Sequence, residues 1–153
     1  MYELGKLWDE NYELGRVNRY PYDSIVSFVF QEFGNERSEL ERLNALELGF
    51  GGGNNLKFLS DFGINVHGID AAPNAKKLAE ELMGTCNDQR LIVGDLKELP
   101  YREATFDFII DRQSIGHNDE QDVQTILREA HRTLKLNGKF VSNIFGCQSS
   151  DLK

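Results

Sequence analysis

The chain has 153 residues with a 40% hydrophobic and a 27% charged share, the composition of an ordinary folded globular protein. A chain of this length suits a single domain. Its 17 Lys and Arg residues against 25 Asp and Glu residues give a formal net charge of −8. This balance argues against binding to nucleic acid or to an anionic membrane, because both partners need a basic face.

Residues 1–43 are predicted to form a helical or lid-like segment ahead of the main fold. Residues 1–20 are polar and aromatic with weak periodicity, which suggests a short helix or a lid. After Pro21, apolar residues recur at helical spacing as far as Phe33, and Gly34 is placed to end that helix. Four aromatic side chains of the segment are expected either to cover a bound ligand or to pack on the domain: Trp8, Tyr12, Tyr20 and Tyr22.

Residues 44–153 are predicted to form one domain in which strands alternate with helices. The strands are expected at 44–48, 65–69, 91–93, 106–110 and 139–145. Of the helices between them, one ends at Gly63, one lies between Pro73 and Gly84, and one starts at Asp119, includes Leu134 and ends at Asn137 and Gly138. This alternation predicts an α/β fold, a parallel sheet covered by helices on both faces.

A glycine-rich loop lies at the rim where such sheets bind ligands, because right-handed crossovers bring the carboxyl ends of parallel strands to one edge. From Glu47 to Gly53 the sequence has the spacing acid-x-G-x-G-x-G, between a predicted strand and a predicted helix. Glycine permits a tight turn, a positive φ and close approach of the backbone to a ligand. Asp70 follows the next strand, so we interpret the loop as a ligand-binding loop rather than a flexible turn.

The charge beside the loop favours one class of nucleotide. A dinucleotide fingerprint needs glycine where this chain has Asn54. A pyrophosphate at the helix N-terminus would be repelled by Glu47, whereas an ammonium or sulfonium cation would be attracted. The pattern therefore favours S-adenosylmethionine. A cofactor-binding module without catalysis and an NAD-dependent oxidoreductase domain remain as alternatives.

Five segments follow one another in the order of a known family. They are Glu47-x-Gly49-x-Gly51-x-Gly53, Gly68-Ile69-Asp70, Gly94-Asp95-Leu96 with Leu99-Pro100-Tyr101, Phe106-Asp107-Phe108-Ile109-Ile110-Asp111, and Leu134-Lys135-Leu136-Asn137-Gly138-Lys139. Through them, residues 44–145 resemble the class I S-adenosylmethionine-dependent methyltransferases; Leu136 and Lys139 depart from the usual L-K-P-G-G turn. The resemblance implies a three-layer Rossmann-like sheet with parallel strands in the order 3-2-1-4-5, here without the family's strands 6 and 7.

The resemblance also implies roles for single residues. Asp70 should accept hydrogen bonds from both ribose hydroxyls, and Asp95 from the adenine amine, with the Leu96 backbone near the adenine ring. Glu47, with Gly49 and Asp111, should face the methionine end. The cofactor-binding set is completed by Gly51, Gly53 and Ala71. The competing interpretation is that Asp70 and Asp95 cap the helices that follow them.

Methyl transfer from a sulfonium is an in-line displacement that depends mainly on positioning and desolvation. For a hydroxyl acceptor, His117 is the candidate general base, with Asp111 beside it; a structural role for His117 stands equally open. His67 and His131 are expected to be packed or solvated, and no metal site is expected. The expected acceptor is a small molecule.

The fifth strand is expected to be an exposed edge, since strands 6 and 7 are not found after it. An apolar edge strand invites pairing with another chain, so we expect a homodimer.

The cysteines and the amino-terminal residues bear on the compartment. Cys86 and Cys147 form no C-x-x-C pair, which argues against a zinc ribbon or a disulfide scaffold. Residues 1–20 contain no apolar run of a secretory signal. We therefore expect a cytoplasmic protein.

Overall fold

Helices and strands alternate along the computed structural model, which describes residues 3–144. The helices are α1 (Glu3–Glu13), α2 (Asp23–Phe33), α3 (Arg37–Leu40), α4 (Asn54–Asp61), α5 (Pro73–Met83) and α6 (Glu120–Thr133). The strands are β1 (Asn44–Leu48), β2 (Asn65–Asp70), β3 (Leu91–Val93), β4 (Phe106–Arg112) and β5 (Leu134–Asn143), and one 3₁₀ turn covers Ile115–His117. Phe145 and Cys147, which enter the sequence-based predictions, lie outside the described residues.

The five strands form one parallel sheet in the order β3-β2-β1-β4-β5. This confirms the α/β Rossmann-like fold and the strand order that the resemblance implied. Leu48 lies opposite Ile69 of β2 and Asp111 of β4, so the carboxyl ends of the three central strands finish level with one another. That common edge is where the predicted site residues meet.

Two hydrophobic clusters hold the helices to the two faces of the sheet. On one face, Ile25 and Val29 of α2 belong to the same buried cluster as Phe108 and Ile110 of β4. On the other face, Ile126 of α6 packs in the cluster that contains the intervening β4 residue, Ile109. Alternating side chains of a strand point to opposite faces, which explains how one strand serves both clusters.

The boundary between the last helix and the last strand differs from the prediction. The helix predicted to continue to Asn137 and Gly138 ends at Thr133, and the strand predicted from Lys139 begins at Leu134, which pairs with Phe106. An irregularity in the ladder accommodates the early start, and Asn137 has a φ of 63° there. Leu134 fits the helical spacing, but its apolar side chain packs on the α6 face of the sheet from within the strand.

Strand β5 ends the sheet, and among residues 3–144 it pairs with β4 alone. Its outer backbone N–H and C=O groups would gain hydrogen bonds from a second strand. Self-association as a two-fold dimer therefore stays a prediction, to be measured by sedimentation or light scattering at micromolar concentration. A monomer across that range would contradict it.

Within residues 3–144, no helix is long and apolar enough to cross a membrane.

Candidate cofactor and acceptor site

A cavity of about 310 Å³ opens at the carboxyl ends of β1, β2 and β4. Its floor includes Glu47, the glycine loop and Asp70, and α1 with the chain that follows it forms its cover. The predicted site residues that line it are Glu47, Gly49, Gly51, Asp70, Ala71, Leu96 and His117, together with the aromatic residues Trp8, Tyr12 and Tyr22. Most of the predicted site is therefore brought together in one place.

The glycine loop has the backbone geometry that its sequence predicted. Gly49 has a φ of 67° and Gly51 a φ of 53°, a region that favours glycine. A Cβ at Gly49 would overlap the Ser114 side chain, so a substitution there would displace the loop after β4. The Gly51 N–H donates to Asp70 Oδ2 over 2.9 Å, which ties the loop to the end of β2.

Glu47 carries a buried carboxyl group in which one oxygen has no hydrogen-bond partner. Its side chain is 2% exposed, and Oε1 accepts a 2.7 Å hydrogen bond from the Asn55 amide. Oε2 is buried without any hydrogen-bond partner. Burial raises the pKa of this carboxyl to about 8, and the charges of Asp70 and Asp111 add to the effect. An unpaired buried carboxylate oxygen beside a cavity suits a cationic ligand group.

Asp70 is held in place by the backbone around it. Oδ1 accepts from the Ala72 N–H over 2.9 Å, and Oδ2 accepts from Gly51. Burial raises the pKa of Asp70, while these N–H groups oppose the rise. Each carboxylate oxygen has two lone pairs, so both can still accept from a ligand hydroxyl.

Asp111 has partners that the sequence did not indicate. Oδ1 accepts from the backbone N–H groups of Ser114 and Ile115, and Oδ2 accepts from the Ser142 hydroxyl over 2.6 Å. Its side chain is fully buried and does not line the cavity. These contacts give Asp111 the role of fixing the loop after β4 rather than that of facing a ligand.

Gly53 and Asp95, like Asp111, do not line the cavity. A Cβ on Gly53 would lie 2.7 Å from the Ala79 Cβ, so this glycine allows α4 and α5 to pack closely. Asp95 Oδ1 accepts from the Lys97 N–H over 2.9 Å within a turn, and no helix follows it before β4, so Asp95 does not cap a helix as the competing interpretation expected. Its neighbour Leu96 does line the cavity.

The N-terminal segment lies over the cavity and contacts several core elements. Asp9 Oδ1 accepts from the Asn74 N–H at the start of α5 over 2.7 Å. The Trp8 ring meets the His117 ring edge-on at 5.3 Å and lies near-parallel to Tyr12 at 6.1 Å. The Tyr12 hydroxyl would lie 3.0 Å from a Cβ at Gly51. Burial, with Asp70 and Glu47 nearby, raises the pKa of Tyr12, so its hydroxyl keeps its proton.

A family model described as a methyltransferase domain matches residues 46–142, which is more than half of the chain. The chain belongs to the class I S-adenosylmethionine-dependent methyltransferases. This membership sets aside the NAD-dependent oxidoreductase alternative.

Curated relatives and solved structures agree with that family. The chain is 29% identical over 110 residues to the sterol 4-C-methyltransferase strm-1 of Caenorhabditis elegans, covering 69% of this chain and 32% of the relative. It is 32% identical over 93 residues to norajmaline N-methyltransferase of Rauvolfia serpentina, covering 58% of this chain and 31% of the relative. The PH0226 protein of Pyrococcus horikoshii superposes with a TM-score of 0.67 at 25% identity, covering 82% of this chain and 54% of that one. The chain thus spans about a third of the length of these two curated relatives.

Asn55 is a site residue that the sequence did not reveal. It is 1% exposed, its amide donates to Glu47, and its Oδ1 accepts from the Tyr22 N–H over 3.1 Å. The adjacent Asn54 donates to the Tyr20 carbonyl over 2.7 Å. Polar amides at the start of a helix normally suggest surface caps. Only the fold shows that both are buried under the N-terminal segment of the chain.

The three histidines have separate surroundings. His117 is exposed and lines the cavity. His67 packs edge-on against Tyr101 and Phe106 away from the cavity, and burial lowers its pKa. His131 is exposed in the last turn of α6. In the part of the chain that the structure describes, no group of three His, Cys, Asp or Glu residues is placed to hold a metal ion.

Proposed function

We propose that this methyltransferase transfers a methyl group from S-adenosylmethionine to a small-molecule acceptor by in-line displacement. The observation that carries the proposal is the Glu47 Oε2 atom, buried without a partner in the floor of a covered cavity. Such an atom is costly unless a ligand completes it. A sulfonium or ammonium group is the kind of ligand that fits a carboxylate.

The residues around the cavity fit the cofactor. Glu47 would hold the cationic methionine end, and Asp70 would accept hydrogen bonds from the ribose hydroxyls. Ala71 and Leu96, which line the same cavity, would lie beside the adenine. When bound, the cofactor supplies an activated methyl group on sulfur. The chain itself supplies position and exclusion of water, because Trp8 and Tyr12 cover the site.

Two observations favour a small-molecule acceptor. The N-terminal segment lies over part of the cavity and narrows access to it, and the net charge of −8 is unsuited to nucleic acid. Relatives named for a sterol, for phosphoethanolamine and for norajmaline support the same class of acceptor.

The cofactor assignment is tested with Asp70→Ala and titration calorimetry of S-adenosylhomocysteine. The expected loss of affinity is about 1.5–3 kcal/mol, the range for hydrogen bonds to a charged group. A matched control is Asp61→Ala, which removes an exposed carboxylate at the end of α4. Parental affinity in Asp70→Ala would contradict the assigned pocket. Binding in the parent without transfer to any acceptor would favour the cofactor-binding module.

His117 is proposed as the general base for a hydroxyl acceptor, because it lines the cavity beside Trp8. His117→Ala should lower the methylation rate by about 10²-fold or more while leaving affinity for S-adenosylhomocysteine almost unchanged. The rate is measured with saturating cofactor, and His131→Ala on the exposed face of α6 is the control. A parental rate on a hydroxyl acceptor would rule out this role.

A further inference from the structure

Arg112 places a guanidinium in the cavity with its hydrogen-bond donors unused. It is half-buried, and its Cζ atom lies 4.1 Å from the centroid of the Tyr22 ring. Among residues 3–144 it donates no hydrogen bond and joins no ion pair. Stacking occupies the flat face of a guanidinium and leaves the N–H groups at its edge free.

The other arginines of the described chain have different surroundings. Four lie in ion pairs with carboxylates: Arg37, Arg42, Arg90 and Arg132. The rest, unlike the half-buried Arg112, are exposed to solvent: Arg16, Arg19, Arg102 and Arg128. In a chain with a net charge of −8, carboxylates are plentiful. Arg112 shares its cavity with Glu47 and Asp70 and follows Asp111. It nevertheless forms an ion pair with none of them, which points to a partner that is not part of the described chain.

The position of Arg112 separates it from the ribose side of the site. It follows Asp111, which pairs with Leu48, so it stands level with the start of the glycine loop. Strand β1 lies between β4 and β2, which places Arg112 two strands, or about 10 Å, from the strand that carries Asp70. Arg112 is two residues after Ile110 and four after Phe108, so its side chain lies on the same face of the sheet, the one that Tyr22 covers.

We propose that Arg112, stacked on Tyr22, binds a carboxylate of a ligand in this cavity. The proposal rests on the proposed function and adds the ligand chemistry on the β4 side. A planar fork of N–H donors matches a carboxylate in two parallel hydrogen bonds, and the Tyr22 ring holds the fork in one plane. The carboxylate belongs to the methyl acceptor or to the methionine end of the cofactor.

The first experiment tests whether the carboxylate that Arg112 binds belongs to the cofactor. Calorimetry compares S-adenosylhomocysteine with 5′-methylthioadenosine, which lacks the amino acid group, in the parent and in Arg112→Gln. If the methionine carboxylate is the partner, Arg112→Gln weakens S-adenosylhomocysteine about tenfold or more and leaves 5′-methylthioadenosine unchanged. Arg128→Gln makes the same change of charge on the exposed face of α6 and should match the parent.

The second experiment tests whether that carboxylate belongs to the methyl acceptor. Binding is followed by quenching of the fluorescence of Trp8, the single tryptophan, with S-adenosylhomocysteine already bound. The added ligands are an acid and its amide in two pairs: benzoate with benzamide, and sarcosine with sarcosinamide. The parent should bind the acid of a pair about tenfold more tightly than the amide. That preference should vanish in Arg112→Gln, fall in Arg112→Lys, which keeps the charge without the fork, and persist in Arg128→Gln.

The outcomes separate this inference from the proposed function. If Arg112→Gln leaves both S-adenosylhomocysteine affinity and every acid preference at parental values, the carboxylate role is refuted while the cofactor pocket stands. An absence of any acid preference in the parent, with unchanged S-adenosylhomocysteine affinity in the variant, refutes it equally. If S-adenosylhomocysteine fails to bind the parent, the cofactor site itself is refuted. Urea unfolding of each variant establishes that it is folded before binding is compared.

Discussion

Glu47→Gln should weaken binding of S-adenosylmethionine by about tenfold or more and remove most of the pH dependence of that binding. The buried carboxyl has a pKa of about 8, because burial disfavours its charged form. Below that pH a cationic ligand must also displace a proton, so parental affinity should fall by up to about tenfold for each unit of decreasing pH. Calorimetry at several pH values, on parent and variant together, measures the difference.

The Glu47 carboxyl group should also make the stability of the fold depend on pH. Stability should fall as pH rises, whereas affinity for the cationic ligand should rise. In the unfolded chain a glutamate ionises near 4.5, whereas in the fold Glu47 holds its proton to about 8. Between these values the folded state binds more protons, so the ligand-free parent should lose stability as pH rises from about 4.5 to 8, at about 1.4 kcal/mol per unit. Glu47→Gln should lack this loss. If the urea midpoints of parent and variant change with pH in the same way between pH 4.5 and 8, the raised pKa of Glu47 is contradicted.

Gly53→Ala should destabilise the fold by about 2–4 kcal/mol through strain and overpacking together. Gly53 has a φ of 77°, and an added Cβ would lie 2.7 Å from the Ala79 Cβ and 2.9 Å from its Cα. The Ala79 backbone belongs to α5 and cannot turn aside as a flexible side chain can. Urea unfolding followed by circular dichroism gives the free energy.

Gly84→Ala is the matched control for this change. Gly84 has a φ of 69°, but nothing lies within 4 Å of an added Cβ. It should therefore show the strain of the left-handed conformation alone, about 1–2 kcal/mol. If the two variants lose equal stability, contact between α4 and α5 at Gly53 is not the constraint.

Local patterns were enough to predict the sheet and the floor of the site. The apolar runs of β1 and β4, the turn-forming glycines and Pro73 act on near neighbours in the chain, so their effect can be read from the sequence. Glu47, Gly49, Gly51 and Asp70 follow from the same patterns, because the carboxyl ends of parallel strands must meet.

Other features depend on distant parts of the chain and could not be predicted in this way. Gly53 is constrained by Ala79 on the next helix, and Asp111 is completed by Ser142 of β5. Asn55 and Arg112 look like surface residues until Tyr22 is placed over them. In each case the deciding contact comes from tertiary packing, which neither composition nor spacing records.

The cover of the cavity is built from the first part of the chain, but its anchors come later. Asp9 reaches Asn74 across 65 residues, and Trp8 meets His117, which follows β4. During synthesis α1 must therefore wait until α5 and the loop after β4 have formed, because its docking partners do not exist before then. The reverse step needs none of the sheet to unfold, since α1 packs on α5 and on loops at the rim of the sheet and pairs with no strand. Amide hydrogens of α1 should consequently exchange with solvent long before those of β1 and β4. The cavity should open to its ligands at the rate at which α1 undocks.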